Sequence, residues 1–396
     1  MVGGSGRYDV IVVGARCAGS PTAMLLARKG YRVLVVDRST FPSDTVSTHV
    51  VHAPGVAALD RWGVLDRVKA SGCPAVSTYS FDFGPFTIRG VPRPMDGHSA
   101  AYAPRRTVLD TLLVDAAAAA GAEVREGFSV DEIVVEDGRV TGIRGRQRDG
   151  RSVTERAPVV VGADGSNSRV ARAVGAATYH ERPPLQAGAY TYFSGLELDG
   201  FETTLRPARG FAGISTNDGL ALVVAGWPYA EHATNKRDIE ASFFGAIALA
   251  PDFHERVCAA TREARFAGMP VANFFRVPYG PGWVLVGDAG YSKDPITAQG
   301  ITNAFRDAEQ CAAALDAVFS GTISFEDAMA RFHATRDDEA LPMYELTCQL
   351  ASLEPPPPEM QHMLAGIHGD QSAMDDFVSV TAGTRSPLEL FGAPAG

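Results

Sequence analysis

The stretch YDVIVVGARCAGSPTAMLLARKGYRVLVVD, residues 8–37, decides how this chain is read. YDVIVV (8–13) is short, apolar and β-branched, the signature of a strand buried on both faces. After the loop GARCAG comes SPTAMLLARKG, a helix with Pro21 early, where proline is tolerated, and Gly30 at its end. YRVLVVD (31–37) is a second strand closed by an acid. Strand, glycine loop, helix, strand and acid, in that order, turn a glycine pattern into a dinucleotide fingerprint. Gly14 and Gly19 hold the first and third glycine positions of G-x-G-x-x-G, with Ala18 beside the third. Arg16 holds the second, where backbone normally approaches a pyrophosphate. Its guanidinium is the side chain best matched to phosphate. Arg16 is therefore expected to keep the anion site and to add charge to the helix N-terminus. Asp37, followed by Arg38, is placed to bind a ribose 2′-OH, which favours an unphosphorylated ribose, as in NAD or FAD.

Outward from this unit the pattern stays α/β and then changes. RRTVLDTLLVDAAAAAG (105–121) is an amphipathic helix, and 123–147 reads as a strand and a hairpin around Asp137-Gly138. VVVGADG (159–165) and WVLVGDAG (283–290) read as further buried strands. Between them, from about 175 to 277, strand-like runs such as QAGAYTYFSG and GLALVVAGWP dominate, as in an antiparallel sheet inserted into an α/β domain. Short strands also occupy 76–104. Helices follow 300, EPPPPEM (354–360) is a rigid break, and the remainder is helical.

Three more motifs choose between the two cofactors. They are R-x-x-L-D starting at Arg106, GADGSNSRVAR (162–172) and GDAGYSKDPITAQGI (287–301). Together with the opening loop they resemble the FAD-dependent oxidoreductases built like p-hydroxybenzoate hydroxylase, a family that includes geranylgeranyl reductases and flavin-dependent halogenases. The likeness runs over residues 8 to 335. It implies a Rossmann-like FAD-binding domain in three parts (1–75, 105–174, 278–340) and an inserted antiparallel β-sheet substrate domain (76–104 and 175–277); beyond the likeness, the residues themselves read as a helical C-terminal region (341–396). It implies FAD contacts at Arg106, at Val130 beside the adenine, and at Asp164. It further implies a cofactor contact at Gly287 and Asp288 on the ribityl chain, with Pro295, Gly300, Ile301 and Thr302 along the flavin. His49, in STH, falls where the family places a side chain beside the flavin. The N-terminus of the helix after Gln299 can stabilise negative charge on the reduced ring.

Composition narrows the function. The net charge is −10 and no basic patch is present, so a nucleic-acid partner is not expected. The five cysteines form no C-x-x-C pair, and neither a disulfide framework nor a metal site is suggested. No apolar run approaches the ~18 residues of a membrane span, and a cytoplasmic protein is expected. The expected activity is a monooxygenase acting on an aromatic or hydrophobic small molecule through a flavin C4a-hydroperoxide. O2 would be the oxidant, and NAD(P)H or a partner flavin reductase the electron donor. A reductase or dehydrogenase of the geranylgeranyl reductase type stays open, as does a non-catalytic flavin carrier. The halogenase pattern W-x-W-x-I-P is absent, since the tryptophans are Trp62, Trp227 and Trp283 alone. Candidate catalytic groups are His49, as a proton shuttle, and Lys293, which stands beside Asp294 in S-K-D-P and can pair with it. Tyr190 and Tyr192, on one face of a strand at period two, and Trp227 are candidate substrate contacts.

Overall fold

The structure is a computed structural model that describes residues 8–268, 270–356 and 358–391. The polar lead-in at 1–7, Pro357 of EPPPPEM and the last five residues lie outside the described residues.

The apolar β-branched runs form the centre of a six-stranded sheet. Its order is Tyr279–Gly280, Trp283–Leu285, Val159–Gly162, Val10–Val13, Val33–Val36, Glu123–Arg125. The four pairings from Trp283–Leu285 to Glu123–Arg125 are parallel. Both faces are covered, which is why these strands read as continuous apolar runs rather than alternating ones. Val10, Val12, Val33 and Val35 pack with the helices Gly19–Arg28, Arg106–Ala119 and Gly300–Phe319. Ile11, Val13, Leu34 and Val36 pack with Ile133, Val140 and Ile143 of a three-stranded antiparallel sheet. That small sheet turns at Asp137 and Gly138, whose φ values of +49° and +76° are those of a tight hairpin turn.

A seven-stranded sheet forms the second layer, in the order Thr261–Arg262, Gln186–Ser194, Leu220–Pro228, Arg209–Ser215, Phe201–Arg206, Tyr79–Asp82, Thr87–Gly90. Two distant pieces of chain meet in it: Phe201–Arg206 runs parallel to Tyr79–Asp82, and all other pairings are antiparallel. One face packs on the helices Ile239–Ile247 and Pro251–Ala259 through Phe193, Phe243, Phe253 and Trp227. The other faces inward, and its outer end is closed by Leu364 and Val378 of the C-terminal helices Pro358–Ile367 and Gln371–Thr381. No helix among the described residues is long and apolar enough to cross a membrane.

Candidate active site

One cavity of ≈ 970 Å³ starts at the carboxyl ends of the parallel strands, at Val13 and Val36, and continues to the inner face of the seven-stranded sheet. Ligands of open α/β sheets bind at such strand ends, and the volume is at the upper end for cofactor and substrate sites.

The glycine loop has the geometry its sequence requires. Gly14 has φ +105°, and a Cβ on it would meet the Ala163 carbonyl oxygen at 2.3 Å. A Cβ on Gly19 would meet the Gly14 carbonyl oxygen at 1.8 Å, so the helix start is pressed onto the loop and no side chain fits between. Ala18 caps that helix without a side-chain hydrogen bond and lines the cavity. The Arg16 guanidinium is held by groups of the protein itself. It lines the cavity, but Nη1 donates to Asp110 Oδ2 at 2.5 Å and Nη2 donates to Ser43 Oγ at 2.7 Å. Arg106 donates to the other oxygen of Asp110, from Nε at 3.0 Å and from Nη2 at 2.9 Å. Asp110, fully buried, thus holds two guanidiniums, and the cluster keeps a net positive charge beneath the loop. Asp110 closes the R-x-x-L-D motif of the sequence, but it was given no role there, although its i, i+4 spacing from Arg106 allows the pair.

At the nucleoside end, Asp37 accepts the Ala15 N–H at 2.8 Å and the Ser39 N–H at 2.7 Å, one on each oxygen, and still borders the cavity. Arg38 and Val130 line it as well. Asp164 lines it too, but its carboxylate is engaged by Ser168 Oγ at 2.5 Å and the Arg169 N–H at 2.6 Å, which fixes the turn after Gly162.

At the opposite end, Gly287, Asp288, Pro295, Gly300 and Ile301 line the cavity. Asp288 lies deep in the protein yet is open to the cavity. Burial raises its pKa, against the pull of Lys293 and Arg106. The Gly300–Phe319 helix starts here with no side-chain cap, leaving backbone N–H groups available at its positive end. Thr302 departs from expectation: its hydroxyl accepts the His52 N–H at 3.1 Å, and it is not part of the lining. Lys293 lines the cavity 5.0 Å from the Tyr291 ring centroid, and burial pushes its pKa down to about 7. The expected Lys293–Asp294 pair does not form. Asp294 Oδ1 instead accepts from Gln186 Nε2 and from the Ile296 N–H. Gln186 carried no signal in the sequence.

Three further expectations are corrected by how the sheet faces pack. His49 sits behind the cavity wall, with Nε2 2.5 Å from the Tyr192 hydroxyl, and burial pushes its pKa down to about 3. Tyr190 lines the cavity, but Tyr192 does not: its ring is held between His49 and the Arg105 guanidinium. Trp227, 1% exposed, lies on the far face of the sheet, against the flanking helices.

The residues present fit a dinucleotide with a ring system at one end. The loop admits backbone only at Gly14, a positive cluster lies beneath it, and an unpartnered carboxylate, Asp288, waits further along the same enclosure. Comparisons agree. The family model described as FAD binding domain matches residues 7–346. The digeranylgeranylglycerophospholipid reductase of Methanocella arvoryzae is 29% identical over 310 residues, covering 75% of this chain and 74% of that protein. Among solved structures, the myxobacterial chondrochloren halogenase CndH is 22% identical with a TM-score of 0.81, covering 98% of each chain. PqsL of Pseudomonas aeruginosa, a probable FAD-dependent monooxygenase, is 21% identical with a TM-score of 0.72, covering 93% of this chain and 98% of that one. At these identities the two structures are likenesses of fold.

Proposed function

The chain belongs to the FAD-binding domain family of FAD-dependent oxidoreductases, and from that premise we propose that it is a monooxygenase that hydroxylates a compact aromatic or hydrophobic small molecule. The carrying observation is that one enclosure borders both the dinucleotide loop and an apolar sheet face. Cofactor and substrate therefore share a volume of ≈ 970 Å³, which favours a compact substrate over one with long chains.

FAD, held by Gly14, Asp37, Arg106, Asp288 and the start of the Gly300–Phe319 helix, supplies two-electron chemistry and, once reduced, the activation of O2. The protein supplies the surroundings. Phe201, Ala212, Ile214, Leu222 and Val224 keep the substrate end dry. The helix N-terminus and Lys293 direct positive charge into this end of the cavity, where it would stabilise a reduced, anionic ring. Lys293 Nζ, titrating near neutrality, holds or yields a proton there. His49 stays neutral and shares a hydrogen bond with Tyr192, fixing the wall behind Tyr190. NADPH, NADH or a separate flavin reductase donates the electrons.

A second reading, reduction of a prenyl C=C bond, is supported by the reductase relatives at 28–29% identity. One experiment separates them. The FAD-loaded protein is supplied with NADPH, NADH or a flavin reductase, labelled dioxygen, and a panel of phenols, fused-ring aromatics and prenyl lipids. A product that gains one labelled oxygen atom is expected. A product that gains two hydrogens and no label would replace the hydroxylase reading with the reductase.

A further inference from the structure

His52 is fully buried and is not part of the cavity lining, yet it joins three parts of the fold. It stands just before the helix Ala53–Arg61, and its carbonyl accepts the Val56 N–H at 2.9 Å. Its own N–H donates to Thr302 Oγ1 at 3.1 Å, in the first turn of the Gly300–Phe319 helix. Its ring meets the Thr297 carbonyl oxygen through Nε2, at 3.2 Å, and the Tyr79 hydroxyl of the seven-stranded sheet through Nδ1, at 2.8 Å. A carbonyl only accepts, so Nε2 carries the ring proton and Nδ1 accepts the proton of Tyr79. Burial pushes the pKa of His52 down to about 4, so the neutral ring persists near pH 7.

The two bonds to threonines bracket one stretch of chain, 297–302. Ala298, Gly300 and Ile301 of this stretch line the cavity, and Thr297, Gln299 and Thr302 do not. Each of the latter is pinned from behind. Thr297 is held through its carbonyl by His52 and through its hydroxyl by Thr347 Oγ1, at 2.9 Å. Gln299 donates from Nε2 to the Thr381 carbonyl. Thr302 holds the His52 N–H. Within the bracket Ala298 has φ +53° and ψ +25°, left-handed backbone that is unfavourable for a residue with a Cβ. Such strain persists where the surroundings over-determine it, and it gathers at functional sites. His52 grips both ends of this stretch and ties it to a strand of the other sheet.

We propose that His52 is a positioning residue for the cofactor: it locks the stretch 297–302, and with it the uncapped N-terminus of the Gly300–Phe319 helix, at the end of the cavity that Asp288 borders. Peptide N–H groups favour a reduced, negatively charged ring over the oxidised one only while their direction is fixed. This rests on FAD binding and not on the reaction, so it holds for a hydroxylase and for a reductase alike.

The test is the midpoint potential of the bound FAD, read by anaerobic titration beside a reference dye, with FAD per chain and melting temperature recorded for each variant. His52→Leu keeps most of the volume and removes both ring hydrogen bonds. It is expected to keep FAD and to lose about tenfold in preference for reduced over oxidised cofactor, a potential lower by about 30 mV. His52→Gln offers an amide that donates to Thr297 and accepts from Tyr79, and it is expected to stay within about twofold of native, about 10 mV. Tyr79→Phe frees one side of the ring and is expected to fall between, at about threefold, about 15 mV lower. A residue that only supports the fold would lower the melting temperature and leave the potential in place. An unchanged or raised potential in His52→Leu, or a glutamine variant displaced as far as the leucine variant, would therefore overturn the proposal. If His52→Leu fails to fold or to retain FAD, Tyr79→Phe decides: a lowered potential supports the proposal and an unchanged one overturns it.

Discussion

A carboxyl such as Asp294 reverses the usual pH logic of an acidic side chain. Its pKa stands at about 7 against an ordinary 3.8 because burial disfavours the charged form. Between those values the folded state holds a proton that the unfolded chain has released. Folding stability from this residue is therefore present at low pH and lost as pH rises toward 7. Asp294→Asn removes that dependence. The variant is expected to gain on the native chain between about pH 4 and about pH 8, by up to about 4 kcal/mol. Paired urea melts across that range check it, and a pH-independent difference would place Asp294 in a more solvated setting. At this scale the sequence was legible where a role is local. Gly14, Gly19 and Asp37 act within one strand–loop–helix–strand unit, and their geometry follows from their spacing. Trp227 and Tyr192 were misplaced because alternation says which residues share a face but not which layer covers that face. Asp294 was noted only as a partner for its sequence neighbour, while its real partner, Gln186, lies on a strand of the other sheet.

Elements here are joined by charge as well as by apolar packing. Asp110, on the Arg106–Ala119 helix, holds the glycine loop through Arg16, and Arg16 in turn holds Ser43 of the segment that walls the cavity. One carboxylate therefore ties a helix, a loop and a wall together. Removing one partner of a buried ion pair leaves uncompensated charge, which costs about 3–5 kcal/mol. Asp110→Asn is expected to lose about that much stability and to shed FAD, read from urea melts and from FAD per purified chain. Full retention of both would mean the two arginines find other partners. The order of strands and helices around the parallel sheet was readable because each element carries its own period and its own turn residues. The tie through Asp110 was not, since Arg16 and Asp110 are distant in the chain and only the fold brings them together.

Across the whole molecule the substrate layer is not one segment. The sheet that floors the cavity takes Tyr79–Asp82 and Thr87–Gly90 from before the Arg106–Ala119 helix and its remaining strands from beyond residue 185. Its inner face is then closed by helices near the end of the chain. The broad division into a nucleotide layer and a sheet layer was legible from composition and period. What the C-terminal helices cover was not, because amphipathic helices give a face without naming its partner. Residues 175–277 expressed alone are expected to stay unfolded, with Phe201–Arg206 lacking its parallel neighbour and the floor lacking its cover. A dispersed amide spectrum from that fragment would contradict this. The interleaving also limits how such a protein can change by recombination. A relative's floor cannot be borrowed by itself as one stretch, because any stretch that spans all its strands also brings the Arg106–Ala119 helix and the strands Glu123–Arg125 and Val159–Gly162 of the nucleotide layer. New substrate preference is then reached most directly by point changes on a floor whose two halves stay matched.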